Sequence, residues 1–190
     1  MTKDNTQQPF NKIRRQDRVK DDVWIRAFLH RAPFGSMATV CDGQPFIVAR
    51  KFAYDEVKHA IYLHGAVKGR TYDNVKADGR VCFSASEMGR LLPAPRAMDF
   101  SVEYSGVVVF GRAKIVTDTA EAKHGLQLIL DKYFPHLRPG EDYEPATDDD
   151  LKITAVYRID IESWSGKEKR MVADVSLMAA LSQSKEPSTP

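Results

Sequence analysis

The chain has 190 residues, 43% hydrophobic and 28% charged, which is enough for one domain with a real core and an ordinary balance for a globular protein. Its 28 Lys and Arg against 26 Asp and Glu leave a formal net charge of +2, so composition gives no general pull towards nucleic acid or an anionic membrane. Cys41 and Cys82 lie far apart and outside any CxxC or metal-type spacing, and the polar start holds no apolar signal core; reduced thiols in the cytoplasm are expected, with one structural disulfide as the alternative.

In chain order, residues 1–12 are polar and read as a disordered terminus. The basic run "KIRRQDRVK" is met at once by Asp21 and Asp22 and reads as a solvated segment before a helix. Asp21 or Asp22 can cap that helix, in which Val23/Ala27, Trp24/Phe28 and Ile25/Leu29 share faces and which ends before Pro33. "FGSMATVC" and "QPFIVARKF" then read as two strands joined by Asp42-Gly43, the dipeptide favoured in a type I′ hairpin.

"HAIYLH" is a third strand and "RVCFSAS" a fourth, with a short helix in "GRTYDNVKAD" between them. "EMGRLLPAPRAMD" reads as a loop, either an irregular crossing or a lid over a pocket. A long fifth strand, "FSVEYSGVVVFGRAKIV", carries Gly111 as a mark of a bulge or bend. Thr119 caps a further helix with Ala122, Leu126, Ile129, Leu130 and Tyr133 on one face. After an acidic, proline-rich loop, "LKITAVYRIDIESW" alternates Ile153, Ala155, Tyr157, Ile159 and Ile161 with polar residues, the clearest strand of the chain. "MVADVSLMAAL" suits a short helix, and the Ser/Pro tail that closes residues 173–190 reads as disordered. Hairpin signals with few helical crossings point to an antiparallel barrel, and no run approaches the length of a membrane span.

Motifs for a nucleophile elbow, a zincin, a P-loop and a dinucleotide fold are all missing, and the five histidines do not group with the cysteines. If the chain is an enzyme, something bound supplies the reactive atom. "AIYLHGAVKGR" offers a place for it. A buried strand ends at His64-Gly65 and runs into Lys68, Gly69 and Arg70, a loop that suits a phosphate at the start of a helix and equally suits an ordinary basic turn. In "SWSGKEKR", Trp164 followed by a glycine turn and Lys167 suits a flat ligand, or else a core cap beside a solvated lysine.

Five stretches in order resemble the pyridoxamine 5′-phosphate oxidase-like FMN-binding split-barrel superfamily, and within it the flavin-nucleotide-binding group that includes 5-nitroimidazole resistance proteins. They are "GSMATVCDGQPF", "FAYDEVKHAIYLHGAVKGR", "VEYSGVVVFGRAKIV", "LDKYFPHLRPGEDY" and "TAVYRIDIESWSGK". The resemblance implies a mainly β domain over residues 13–172, a six-stranded antiparallel split β-barrel with a few peripheral helices. It implies a homodimer with FMN at the subunit interface and a small-molecule substrate; the charge balance and the lack of a spanning run speak against nucleic acid and membrane as partners.

The same resemblance assigns the FMN phosphate to Lys68, Gly69 and Arg70. It lines the flavin with Met37, Ala38, Thr39, Phe46, Ile47 and Val48 of the first hairpin, sets Leu63 and His64 beneath it, and gives Trp164 and Lys167 as the carboxy-terminal contribution, from the same or the other subunit. His64 is either close to cofactor or substrate, or a satisfied strand-end histidine. After Trp164 the chain departs from the arginine-rich segment of pyridoxamine phosphate oxidases, which argues against vitamin B6 oxidation. The readings that stand are an FMN-dependent oxidoreductase acting on a small electrophile such as a nitroaromatic compound with a reduced nicotinamide donor, a flavin-binding carrier or redox sensor, and a haem- or deazaflavin-binding barrel.

Overall fold

The computed structural model describes residues 9–171. The helix read in "MVADVSLMAAL", the tail after it and the first eight residues lie outside them. Eight strands, β1 Val19–Lys20, β2 Gly35–Cys41, β3 Gln44–Arg50, β4 Ala53–Asp55, β5 Ala60–Ala66, β6 Arg80–Leu92, β7 Ser101–Ile115 and β8 Thr154–Lys169, combine with three helices, α1 Asp22–Arg31, α2 Arg70–Ala77 and α3 Thr119–Tyr133. The architecture is the antiparallel split barrel, with two short strands, β1 and β4, beyond the six expected. In the sheet the order is β3-β2-β6-β7-β8-β5-β4, with β1 paired to β8, and every pairing is antiparallel.

Local chemistry accounts for the main boundaries. The Asp21 carboxylate accepts from the Trp24 amide at 2.8 Å and so closes the first turn of α1. Between β2 and β3, Asp42 and Gly43 both take positive φ, 51° and 75°, as a type I′ turn requires. α1 buries Ile25, Phe28 and Leu29 on a core built from Met37, Phe52, Phe83, Val107, Val109, Tyr157 and Ile159. Cys41 and Cys82 are free thiols.

Three boundaries differ from the sequence reading. The stretch read as a loop after Glu87 continues β6 to Leu92, because the β6–β7 ladder resumes at Leu91↔Val102 after a register shift at Met88. The glycine turn expected after Trp164 is strand: Gly166 pairs with Val107 and faces Ile25 of α1, so the small residue serves helix packing and β8 runs on to Lys169. Asp118, rather than Thr119, caps α3, its carboxylate accepting from the Glu121 amide at 2.7 Å.

α3 is fastened to the sheet by charge as well as packing. Oε1 of Glu121 accepts from the Tyr62 hydroxyl at 2.7 Å, from Arg158 at 2.8 Å and from Lys58 at 3.3 Å. These bonds, against the opposing cost of burial, hold the Glu121 carboxyl well below the usual glutamate range, at about 2. The folded-state value is depressed, so the stabilisation is complete above the unfolded value near 4.5 and is lost as pH falls towards about 2. Glu121→Gln should destabilise the fold by about 2 kcal/mol at neutral pH and flatten the loss of stability between pH 5 and pH 3, as read by urea denaturation at each pH.

Candidate functional site

The site starts where β5 leaves the core. Ala60, Ile61, Tyr62 and Leu63 are buried, His64 and Gly65 are half-buried, and Ala66 to Arg70 lie at the surface. Gly69 takes φ of 99°, a conformation that disfavours side chains, and stands as N-cap of α2 with no side chain capping the helix. The open amides of that first turn therefore face outward together with Lys68 and Arg70, neither of which meets a carboxylate within 4 Å among the described residues. Uncommitted cations beside open helix amides form a socket for an anion.

Behind the loop lies a second cation. The Arg50 guanidinium crosses Gly65 so closely that a Cβ there would sit 2.7 Å from Nη1. Nη1 donates to the His64 carbonyl at 2.8 Å and Nη2 to Thr71 Oγ1 in the first turn of α2 at 3.2 Å. Arg50 thus ties the end of β3 to the end of β5 and to the helix start. One turn on, Asn74 Nδ2 donates to Thr39 Oγ1 at 2.8 Å, joining α2 to β2.

This region holds three buried polar atoms without a hydrogen-bond partner: Arg50 Nε, His64 Nδ1 and Asn74 Oδ1. Such atoms cost folding free energy unless a ligand or water satisfies them, so their grouping around one loop is a functional signal. Burial pushes the His64 imidazole below the usual histidine range, and the nearby Arg50 and Lys51 charges push the same way. His64 is therefore a neutral ring at neutral pH.

Among the residues expected to line a flavin, Lys68, Gly69 and Arg70 come together at the loop, with His64 at the strand end beside them. Met37 and Leu63 have no exposed surface, and Thr39 is buried against Asn74, so these three reach a ligand only through the backbone or by shaping the floor. Ala38 and Ile47 are direct cross-strand partners on one face of the hairpin, with Ile47 65% exposed, whereas Phe46 and Val48 turn to the face of Met37 and Thr39.

Trp164 and Lys167 are not brought together. They project from opposite faces of β8: the Trp164 indole donates to Asp22 at 2.8 Å and lies edge-on to His59, while Lys167 stands over Tyr104, 5.3 Å from the ring centroid. Gly65 pairs with Ala155 and Ala60 with Asp160, so Trp164 and Lys167 follow the end of the β5–β8 ladder that is opposite the Lys68–Arg70 loop.

Arg50, Thr71 and Asn74 went unread in the sequence. The signal was available in parity: Arg50 is in phase with Phe46 and Val48, a cation on the inward-turning face of a strand, and Thr71 and Asn74 share a helix face with buried Val75. Among the described residues no cluster of His, Cys, Asp or Glu suits a metal ion, and no helix is long and apolar enough to cross a membrane.

Residues 21–168 match the family described as pyridoxamine 5′-phosphate oxidase. Similar solved structures include a flavocytochrome from Azotobacter vinelandii, at 23% identity and a TM-score of 0.70 over 88% of this chain and 78% of that one. An FAD- and haem-binding protein from Mycobacterium smegmatis has 20% identity and a TM-score of 0.69 over 84% and 78%. A protein described as a candidate 5-nitroimidazole antibiotic resistance protein from Bacteroides thetaiotaomicron has 20% identity and a TM-score of 0.66 over 79% and 86%. No curated protein matches the chain.

If Arg50 sets the electrostatics of the strand end, Arg50→Gln should move the His64 titration up towards the ordinary midpoint near 6.5. Imidazole resonances followed by NMR across pH 4 to 8 check this; an unmoved midpoint would leave burial and the Lys51 charge as the causes.

Proposed function

The chain belongs to the pyridoxamine 5′-phosphate oxidase family, and from that premise we propose that it binds a flavin, FMN, by the loop between β5 and α2. The observation that carries the reading is the coincidence at one loop of an uncapped helix start, two uncommitted cations and buried polar atoms left without partners. The residues fit a phosphate-bearing cofactor. Lys68 and Arg70 supply charge-assisted bonds, the amides around Gly69 supply directional donors, and Arg50 holds the loop's base in place. One such socket suits a mononucleotide.

When bound, a flavin supplies two-electron exchange at its ring. The chain's own part is to grip the phosphate and to present Ala38 and Ile47 from the hairpin, with the neutral His64 ring at the strand end. Trp164 and Lys167 lie beyond the far end of the β5–β8 ladder from Lys68 and Arg70. The reading therefore includes a homodimer, in which a second copy brings its β8 to the flavin.

With a reduced nicotinamide as donor, a small electrophile such as a nitroaromatic compound is the proposed substrate class. The likeness to the protein from Bacteroides thetaiotaomicron supports it.

Dialysed protein should show flavin absorption bands and release FMN on denaturation. Lys68→Gln and Arg70→Gln should each weaken FMN binding about tenfold, the loss of one charge-assisted phosphate contact. A Soret band would turn the reading to haem, and a colourless protein that rejects added FMN would end it. Steady oxidation of reduced nicotinamide in the presence of a nitroaromatic compound separates an enzyme from a carrier.

A further inference from the structure

α2 is joined to the β2–β3 hairpin by polar contacts that packing alone does not require. The helix turns Thr71, Asn74 and Val75 inward, so two of its three buried residues are polar. Asn74 is 1% and Thr39 2% exposed, and Asn74 Nδ2 donates to Thr39 Oγ1 at 2.8 Å. Asparagine is a poor residue for a helix interior, and an apolar pair of similar volume would fill this space without burying an amide. What the hydrogen bond adds is direction: it fixes how α2 stands along and around its axis against one residue of β2. Oδ1 of the same amide has no partner, so Thr39 is the one residue, among those described, that this side chain holds.

Each strand of the hairpin has its own tie to the helix. Arg50, at the end of β3, donates to Thr71 Oγ1 at 3.2 Å and stands opposite Gly35, where the hairpin opens. Thr39 lies further along β2, next to Ala38 and opposite Phe46. Its side chain points to α2, while Ala38 and Ile47 hold the other face of the hairpin. Asn74 therefore steadies, from behind, the stretch that is presented to the flavin ring.

The start of the same helix is where the anion is gripped. Gly69 leaves the first turn without a side-chain cap, and a helix end whose amides lack partners frays. An anion held by those amides, with Lys68 and Arg70, supplies the missing partners and stiffens the helix from its start. Asn74 stands one turn after Arg70, inside the stiffened segment. A ring that then binds the hairpin meets a strand already held, and less of the ordering cost falls on it.

We propose that Asn74 is a positioning residue that couples the two halves of the flavin site, so that filling the anion socket at the start of α2 raises the affinity of the hairpin for the isoalloxazine ring. This coupling rests on the flavin reading of the loop, to which it adds the residue that joins phosphate grip to ring placement. Arg50 fastens the base of the loop; Asn74 carries the position of the helix to the middle of the hairpin.

The two halves of FMN can be offered separately, as inorganic phosphate and as lumiflavin, the ring without its phosphate-bearing chain. Lumiflavin is titrated into flavin-free protein, followed by its fluorescence, with and without saturating phosphate at matched ionic strength. In the wild-type protein phosphate should tighten ring binding about fivefold, and lumiflavin should tighten phosphate binding by the same factor. In Asn74→Ala, and in Thr39→Val, which keeps the side chain's volume, each half should still bind and the mutual enhancement should disappear. Thr39→Ser, which keeps the hydroxyl, should retain it. A merely structural contact would weaken either half and leave the enhancement in place. Ring binding indifferent to phosphate in wild-type protein that binds FMN, or an enhancement that survives both Asn74→Ala and Thr39→Val, would overturn the coupling and leave the flavin reading standing. Wild-type protein that binds neither FMN nor lumiflavin would overturn both.

Discussion

The pairing of β7 with β8 anchors every other part of the fold, and that pairing bends at one place. From Tyr104↔Lys169 to Ile115↔Tyr157 the two longest strands run antiparallel, with one register shift between Phe110 and Gly111. At the shift a Cβ on Gly111 would meet the Asp160 carbonyl at 2.2 Å, so the bulge is available only to a residue without one. On one side of the pair, β6 leads on to the β2–β3 hairpin; on the other, β5 leads to β4. The bulge increases local twist, which lets so long a pair curve around a core instead of lying flat.

That curvature sets which surfaces are left for helices and which for ligands. α1 lies where Gly166 lets Ile25 approach, and its end is held by Lys132, which donates to the Leu29 carbonyl at 2.9 Å over the Phe52 ring. Burial pulls this lysine's pKa down to about 8, a cost tolerated because the ammonium faces a helix C-terminus and an aromatic ring. α3 takes the β5 side through Glu121, and through a contact of His124 with Asp55 at 2.8 Å. α2 is the short helix between β5 and β6, and its start is the one whose first-turn amides no side chain caps. The two fastening helices thus have side-chain caps, whereas the start of α2 keeps its first-turn amides open.

What the sequence makes legible follows from how local the signal is. The Asp42-Gly43 turn, the Asp21 cap, the alternation of β8 and the bend at Gly111 are all decided within a few residues, and each is found where the pattern puts it. β6 hides beyond Glu87 because Gly89 and Pro93 look like loop punctuation, while the ladder that keeps Leu91 and Leu92 extended is supplied by Val102 and Ser101 of the next strand. Gly166 misleads for a related reason: a glycine that makes room for Ile25 of the distant α1 reads, in one dimension, as a turn. At the site, Lys68, Gly69 and Arg70 were visible because they are adjacent. Arg50 was not, because its partners His64 and Thr71 are 14 and 21 residues away and only the barrel brings them together.

The net charge of +2 is similarly a sum that hides its arrangement. Many of the cations are answered on the surface, as in Arg112–Glu162, Lys114–Asp160, Lys123–Asp148 and Arg138–Glu141. Exposed pairs of this kind contribute little stability, but they cancel one another's field. The cations left without a carboxylate among the described residues include Lys51, Lys68, Arg70 and Lys167. Three of these stand around the end of β5 and the fourth stands on β8 beside Tyr104. A near-neutral chain can therefore hold two locally positive sites, provided its acids are spent elsewhere. Pairing also decides how salt acts: within about 8 Å at physiological ionic strength an unanswered cation still attracts an anion, while an answered one is silent. Where the chain presents unanswered positive charge depends on which lysines and arginines the fold leaves alone, and composition cannot report that.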